Sequence, residues 1–309
     1  MNDLRRIDGE LVVIQRNPRS GAGQGRAALR TLVRELRQRN YRVRMFSRRD
    51  ALDAFVTRQT ADRSIRCLVA AGGDGTVRDL AGRHSGWPIA VLPMGTENLI
   101  ARHLKISCDG HCLADTIDRG LVTSFDMMDV AGQRCLIMAS AGFDADIVHR
   151  LHASRSGHIR HWNYVWPILR SIFGYRFPRI RVVDAATGQF CTGFFAIVGN
   201  FREYGLNLYL VPEANPVDGQ LDICVFTSQS RLRAVAQFLC SFVRAPGGST
   251  VSRFRSSAVR FESADPMSAS TGVPLQTDGD PAGVLPVEIR LKPKSMCLLV
   301  SANSDECPA

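Results

Sequence analysis

The first 105 residues repeat one pattern that few folds accommodate. Apolar runs of strand length alternate with stretches of helical periodicity, and several of the strand-like runs end in loops of glycine and small polar residues. LVVIQ (11–15) reads as a buried strand, after which Ala28, Leu29, Leu32, Val33 and Leu36 mark one face of a helix. YRVRMF (41–46) alternates as a half-buried strand does, and ALDAFVTRQ (51–59) reads as a short helix. IRCLVA (65–70), TVRDLAGR (76–83), PIAVL (88–92) and ENLIARHL (97–104) continue as strand, helix, strand and helix. Alternation at this spacing means βαβ units and a mostly parallel sheet.

Beyond about residue 125 the texture changes. RIRVVD (179–184), FFAIVGN (194–200), LNLYLV (206–211), LDICVFT (221–227), AVRFES (258–263), VEIRLK (287–292) and MCLLV (296–300) are short strand candidates, interrupted by one long helical candidate over 231–245. The expected fold is an α/β N-terminal domain over 1–125 and a β-rich C-terminal domain, a sandwich, over 126–295. The last strand, 296–300, is expected to return to the first domain. No internal repeat or long linker separates the two, and a cleft between them is the default place for a site.

Composition narrows the class. The chain has 309 residues, 45% of them hydrophobic, enough for two domains with proper cores. No window approaches about 18 uninterrupted apolar residues, so no membrane-spanning helix is expected. The N-terminus runs almost directly into a strand and lacks a signal peptide's regions, so a cytoplasmic location is the default. Nine scattered cysteines fit buried free thiols in a reducing compartment better than a disulfide framework. The net charge of +10, carried almost wholly by arginine, favours polyanions, whether nucleic acid, anionic lipid head groups or phosphorylated substrates, without choosing among them.

Three loops carry the candidate chemistry. Gly72-Gly73-Asp74-Gly75-Thr76 lies where a strand ends and a helix begins, the place where open α/β sheets bind ligands. Glycines let backbone N–H groups approach phosphate oxygens, and the helix dipole favours the anion. A carboxylate among those amides makes sense if it coordinates Mg²⁺ on the phosphates or accepts a proton from an attacking hydroxyl. The alternative is a tight glycine turn with Asp74 as a helix cap. The loop from Asn17 through Pro18, Arg19, Ser20 and Gly21 also follows a strand, but has neither the GxGxxG spacing nor a lysine. Residues 93–98, PMGTEN, form the third, so that three loops at three strand ends are placed to surround one nucleotide.

Taken in order, these motifs resemble those of the diacylglycerol kinase catalytic family, which includes sphingosine, ceramide and bacterial lipid kinases. NPRSG and GGDGT are followed by PMGTEN, by GFDA (142–145), by VGNFREYG (198–205) with VPEANPVDGQLDI (211–223), and by TDGD (277–280), covering nearly the whole chain. GGDGT alone is shared with NAD kinases and phosphofructokinases. The resemblance implies ATP-dependent phosphorylation of a lipid hydroxyl at the membrane surface, with peripheral membrane contact and no nucleic acid. It places ATP across residues 17–21, 72–76 and Thr96, with Ser47 as a further contact, and Mg²⁺ with the nucleotide. The family's general base maps onto Asp280, with Asp74 organising Mg²⁺-ATP or, as some members are read, acting as the base. Its structural metal site maps onto Asn215, Asp218 and the carbonyl of Gln220.

Three positions depart from the family pattern. Asp280 stands for glutamate, shortening the reach by about 1.5 Å. Glu97 stands for the glycine of GTGN and either binds Mg²⁺ or points away. Arg78-Asp79 stands for Asn-Glu. The rival readings are an NAD kinase-like enzyme for a soluble substrate and a nucleotide- or lipid-binding protein with little catalysis. Residues 159–177, rich in Trp, Tyr and Phe with flanking Arg and His, suit a head-group boundary or, alternatively, a core helix kinked at Pro167. The lipid and the oligomeric state are not readable from the sequence.

Overall fold

The computed structural model describes residues 5–20, 24–59, 64–153, 174–205, 208–228, 230–243, 245, 248–265 and 272–301. The chain divides into two compact units, one of Met1–Phe125 with Lys294–Ala309 and the other of Asp126–Pro293.

The first unit runs β1 (Arg5–Arg6), β2 (Leu11–Arg16), α1 (Gln24–Gln38), β3 (Arg42–Phe46), α2 (Arg49–Gln59), β4 (Ile65–Gly72), α3 (Asp74–Arg83), β5 (Ile89–Pro93), α4 (Leu99–His103) and α5 (Gly110–Arg119), then enters β6 (Leu121–Val130). Strands β5, β4, β2 and β3 lie side by side and parallel, so their carboxyl ends share one edge. Every residue of β4 and β5 is buried, as a parallel sheet covered on both faces requires. Alternate residues Val12, Ile14, Cys67, Val69, Ala71, Ala90 and Leu92 form one core with Leu29, Leu32 and Leu36 of α1 and Leu113, Ala114 and Ile117 of α5. Helix α5 has both boundary signals: Asp109 accepts from the amides of His111 (2.7 Å) and Cys112 (3.1 Å), and Gly120 closes it at φ +64°. The buried Arg66 donates to the carbonyls of Ile117 (2.6 Å), Asp118 (2.6 Å) and Ile7 (3.1 Å), pairing a cation with a helix C-terminus.

The second unit continues with β7 (Gln133–Cys135), β8 (Met138–Gly142), α6 (Phe143–Ala153), β9 (Ile180–Asp184), β10 (Phe190–Gly193), β11 (Phe195–Gly199), β12 (Leu221–Phe226), α7 (Arg231–Cys240), β13 (Val251–Ser256), β14 (Ala258–Ser263), β15 (Pro274–Thr277), β16 (Asp280–Val284) and β17 (Val287–Leu299). Its antiparallel sheet β13-β12-β11-β8-β15-β16 packs on the group formed by β10, β9, β14 and the first half of β17. Ala139, Ala141, Ala196, Val198, Leu221, Ile223 and Val225 meet Ile180, Val182, Val259, Phe261, Val287 and Ile289 in one core. This is a β-sandwich.

Three expectations fail locally. Of LNLYLV, residues 208–211 are described and form no strand; Leu208, Leu210 and Val211 are buried from an irregular segment instead. VEIRLK and MCLLV are one strand, β17, which passes through Lys294 at φ +48° without ending, pairing with β14 at 287–290 and with β5 at Leu298. Among the described residues seven cysteines carry free thiols and Cys112 is disulfide-bonded, so the free-thiol expectation fails at that one position. Most of the aromatic segment 159–177 lies outside the described residues; of its end, Phe177 is buried and stacks on Phe143 at 5.1 Å. Among the described residues no helix is long and apolar enough to cross a membrane.

The α1–α5 contact is a sharp test of this packing. A Cβ built on Gly110 would lie 2.3 Å from the Ala28 carbonyl oxygen and 2.5 Å from the Leu32 nitrogen, both backbone atoms. Gly110→Ala is therefore expected to lower unfolding stability by about 1–3 kcal/mol, read from the urea midpoint. An unchanged midpoint would show that the two helices are not in this contact.

Candidate active site

The shared carboxyl edge of the parallel strands gathers the first set of candidate residues. Register pairs Arg16 with Ala71, Gln15 with Phe46 and Gly72 with Pro93, so the loops after β2, β3, β4 and β5 begin together. Asn17 folds its own loop: its Oδ1 accepts the Arg19 amide (3.0 Å) and its carbonyl accepts the Ser20 amide (3.1 Å). Pro18 and Arg19 are exposed, as are Ser47 after β3 and Thr96 after β5, while Gly21 lies outside the described residues. Thr76 is buried, with its hydroxyl under Gly72. A Cβ on Gly72 would sit 2.2 Å from Thr76 Oγ1 and 3.2 Å from Asn17 Cβ. Gly75 is exposed, with open space where a side chain would stand.

Two of the loops are joined through backbone. A Cβ on Gly95 would lie 2.6 Å from the Cα of Gly73 and 2.8 Å from Asn98 Oδ1, which accepts the Gly95 amide at 2.9 Å. Asp74 completes the join. Its Oδ2 accepts the Leu99 amide (2.9 Å) and its Oδ1 the Ile100 amide (3.0 Å). Asp74 thus caps a helix, but the one after the third loop: its own helix α3 starts at Gly73 with no side-chain cap. Glu97 lies 3.8 Å from Arg102 one turn on, so the charge that departs from the family pattern faces a cation. Asp79, the other departure, ties Gln15 (3.1 Å), Arg83 (2.8 Å) and Arg49 (3.1 Å) together behind α3.

The second unit carries the remaining candidates. Asp278 and Gly279, at φ +49° and +79°, form a two-residue turn between β15 and β16, with Asp280 paired opposite Thr277. Positive φ at both central positions is the hairpin turn that Asp-Gly favours. Asp278 is turned back into the fold, where its carboxylate accepts the amides of Ile137 (2.8 Å), Leu136 (2.9 Å) and Met138 (3.2 Å). Asp280, the residue after the turn, is half-buried. The turn is anchored from behind by Gln276, and through it by Asp144, both missed as site residues by the sequence reading. Asp144 receives the hydroxyls of Ser140 and Tyr204, each at 2.5 Å, and burial pushes its carboxyl above the usual range despite those donors. Cysteines play no such part: burial pushes the Cys67 thiol up to about 12 and Cys224 to about 11, so neither is a ready nucleophile.

Asn215, Asp218 and Gln220 share one turn, in which Asp218 Oδ1 accepts the Gln220 amide (3.0 Å). One carboxylate with carbonyl oxygens is the all-oxygen donor type that Mg²⁺ takes while keeping several waters, so the residues fit such an ion. Among the described residues no three of His, Cys, Asp and Glu converge as a metal cluster.

Comparison with known proteins decides the family. Residues 10–130 match the model of the diacylglycerol kinase catalytic domain, and residues 137–300 match the YegS C-terminal NAD kinase beta sandwich-like domain. The chain belongs to the diacylglycerol kinase and YegS-like kinase family. Among the family's named members, a diacylglycerol kinase of Mycobacterium tuberculosis is 28% identical, covering 96% of this chain and 97% of its own. A probable lipid kinase YegS-like of Pseudomonas aeruginosa is 26% identical over 77% of each. A crystal structure of a putative diacylglycerol kinase from Bacillus anthracis has the same fold, with a TM-score of 0.69 at 17% identity, covering 96% of this chain and 99% of that one. This kinase therefore has the α/β domain and β-sandwich of its family.

Two outcomes follow from the geometry. Gly95→Ala must push Gly73 away, and nucleotide affinity is expected to fall about tenfold or more in a titration calorimeter, since a displacement of about 1 Å costs on the order of 100-fold where position matters. Unchanged affinity would separate the two loops from the site. Asp144 supplies the pH test. Its folded pKa is raised, so as pH rises the unfolded chain gives up this proton first. Its contribution to stability is full below the ordinary carboxylate range and declines as pH climbs toward the folded value. Between about pH 4 and 7 the urea midpoint of Asp144→Asn should fall less with pH than the parent's; parallel curves would refute the raised value.

Proposed function

We propose that this kinase is an ATP-dependent lipid kinase, transferring the γ-phosphoryl group to a lipid hydroxyl of the diacylglycerol or sphingoid type. The observation that carries the reading is the backbone junction of Gly73 with Gly95, held by Asp74, beside the open space at Gly75. Such a cradle suits phosphates because amides and a helix N-terminus can approach them with no side chain between. Asn17, Pro18, Arg19, Ser20 and Gly21 would border the phosphates on one side, with Ser47 and Thr96 toward the rest of the nucleotide. Mg²⁺, when bound, would spread the negative charge of the β- and γ-phosphates.

Asp280 is the group that would take the hydroxyl proton. The lipid oxygen then bonds to the γ-phosphorus, the bond from that phosphorus to the bridging oxygen breaks, and ADP leaves with the electron pair. Because aspartate is shorter than the glutamate of the family pattern, the hydroxyl must approach closer or hand over its proton through a water. Asp74 would hold the two nucleotide loops in register and face the cation. Asn215, Asp218 and Gln220 would hold a second, structural Mg²⁺.

Work at a lipid surface calls for peripheral contact. Leu232, Leu239, Phe242 and Val243, on and just after α7, are all exposed, with Arg233 exposed beside them. Apolar side chains next to a cation suit an anionic head-group boundary. A soluble acceptor such as NAD is the second reading, favoured by the NAD kinase-like sandwich of residues 137–300.

The test uses purified protein, Mg²⁺ and ATP labelled on the γ-phosphate, with candidate lipids in mixed micelles and NAD as a soluble control. Label in a lipid is expected, lost in Asp74→Ala and reduced on the order of 100-fold or more in Asp280→Asn. Label in NAD alone would replace the lipid reading. ATP binding without transfer to any acceptor would make the protein a binding module.

A further inference from the structure

We infer that Gln276 is a positioning residue for Asp280, acting as an amide strut between the DG turn and the buried carboxylate of Asp144. The inference rests on the reading of Asp280 as the general base. Gln276 is 1% exposed and both ends of its amide are engaged. Its Oε1 accepts the Gly279 amide at 2.9 Å, one residue before Asp280. Its Nε2 donates to Ser140 Oγ at 2.8 Å and faces Asp144 Oδ2 at 3.3 Å. Asp144 in turn is 5% exposed, on the first turn of α6, and takes the hydroxyls of Ser140 and Tyr204 on the same oxygen.

The turn does not need this arrangement in order to form. An Asp-Gly pair with positive φ at both positions is already the favoured two-residue hairpin, and Asp278 closes it with three amide bonds. A buried carboxylate with hydroxyl and amide donors is a costly way to fill a core that apolar side chains would fill with less penalty. What the strut adds is direction. Asp278 holds the turn from residues 136–138, leading into β8, and Gln276 holds it from inside the hairpin, so the peptide leading into Asp280 is fixed on two sides. A proton acceptor one methylene short of the family's glutamate has less freedom to find its partner by side-chain rotation, and so depends more on where its backbone stands.

The test exchanges the two ends of the strut. Gln276→Glu keeps an oxygen for the Gly279 amide but sets it against the Asp144 carboxylate. Combined with Asp144→Asn, it restores a carboxylate–amide pair in the opposite order. With ATP and the lipid acceptor, kcat of Gln276→Glu is expected to fall about 10- to 100-fold while KM for ATP holds. The double variant should recover most of that loss. In an Asp280→Asn background the same Gln276→Glu change should cost nothing further, because the group it positions is gone.

A kcat unaltered per folded molecule, with only the melting temperature lowered, would make Gln276 a structural residue and overturn the inference. Additive losses with Asp280→Asn would overturn it too, leaving the general base in place. An Asp280→Asn variant that keeps the parent's rate would remove the base assignment itself, and the strut with it.

Discussion

Everything at the carboxyl edge of the parallel strands depends on the contact between Gly73 and Gly95. Their backbones approach to a distance no Cβ could share, and the carboxylate of Asp74 then bonds the two amides that open α4. A glycine-rich loop alone would lose its geometry to conformational entropy, which glycine carries in excess. Here the freedom is removed by a second loop, and by a charge-assisted cap that spans 25 residues of sequence. The three glycines around Asp74 therefore do separate jobs. Gly72 clears room for Thr76, Gly73 admits Gly95, and Gly75 stands beside open space.

The second unit solves the same problem with different chemistry. A short hairpin turn presents Asp280, while its neighbour Asp278 is spent on the amides of residues 136–138. Of two carboxylates two residues apart, the one at a positive φ is turned inward and takes three amide donors. In each unit, then, an aspartate is sacrificed as a clamp so that the adjoining backbone keeps its position. The departures from the family pattern are absorbed in like manner: Glu97 faces Arg102, and Asp79 gathers Gln15, Arg49 and Arg83.

Where the sequence was legible, the reason is burial on both faces or a turn residue with no substitute. Strands β2, β4 and β5 are continuous apolar runs, so their existence follows from composition over six or so residues. Helix α5 is absent from the sequence reading although Asp109 and Gly120 mark both its ends. Residues 208–211 show the opposite failure. Leu208, Leu210 and Val211 are buried, yet the segment forms no ladder, and apolar periodicity reports burial without reporting strand pairing. The division of β17 into two strands failed similarly, since Pro293 and Lys294 read as a break while the backbone passes through them.

The order of amino acids by itself determined the parallel α/β half, the β-rich half, the three loops at strand ends and the family to which they belong. Those are matters of period, apolar content and short motifs, all local properties of a chain. Only the tertiary structure decided what each aspartate does. Asp74 caps a helix that starts 25 positions later, Asp278 clamps amides some 140 positions earlier, and Asp144 meets Gln276 across 132. A carboxylate's role is set by the donors that reach it, and those donors come from parts of the chain that only folding brings near.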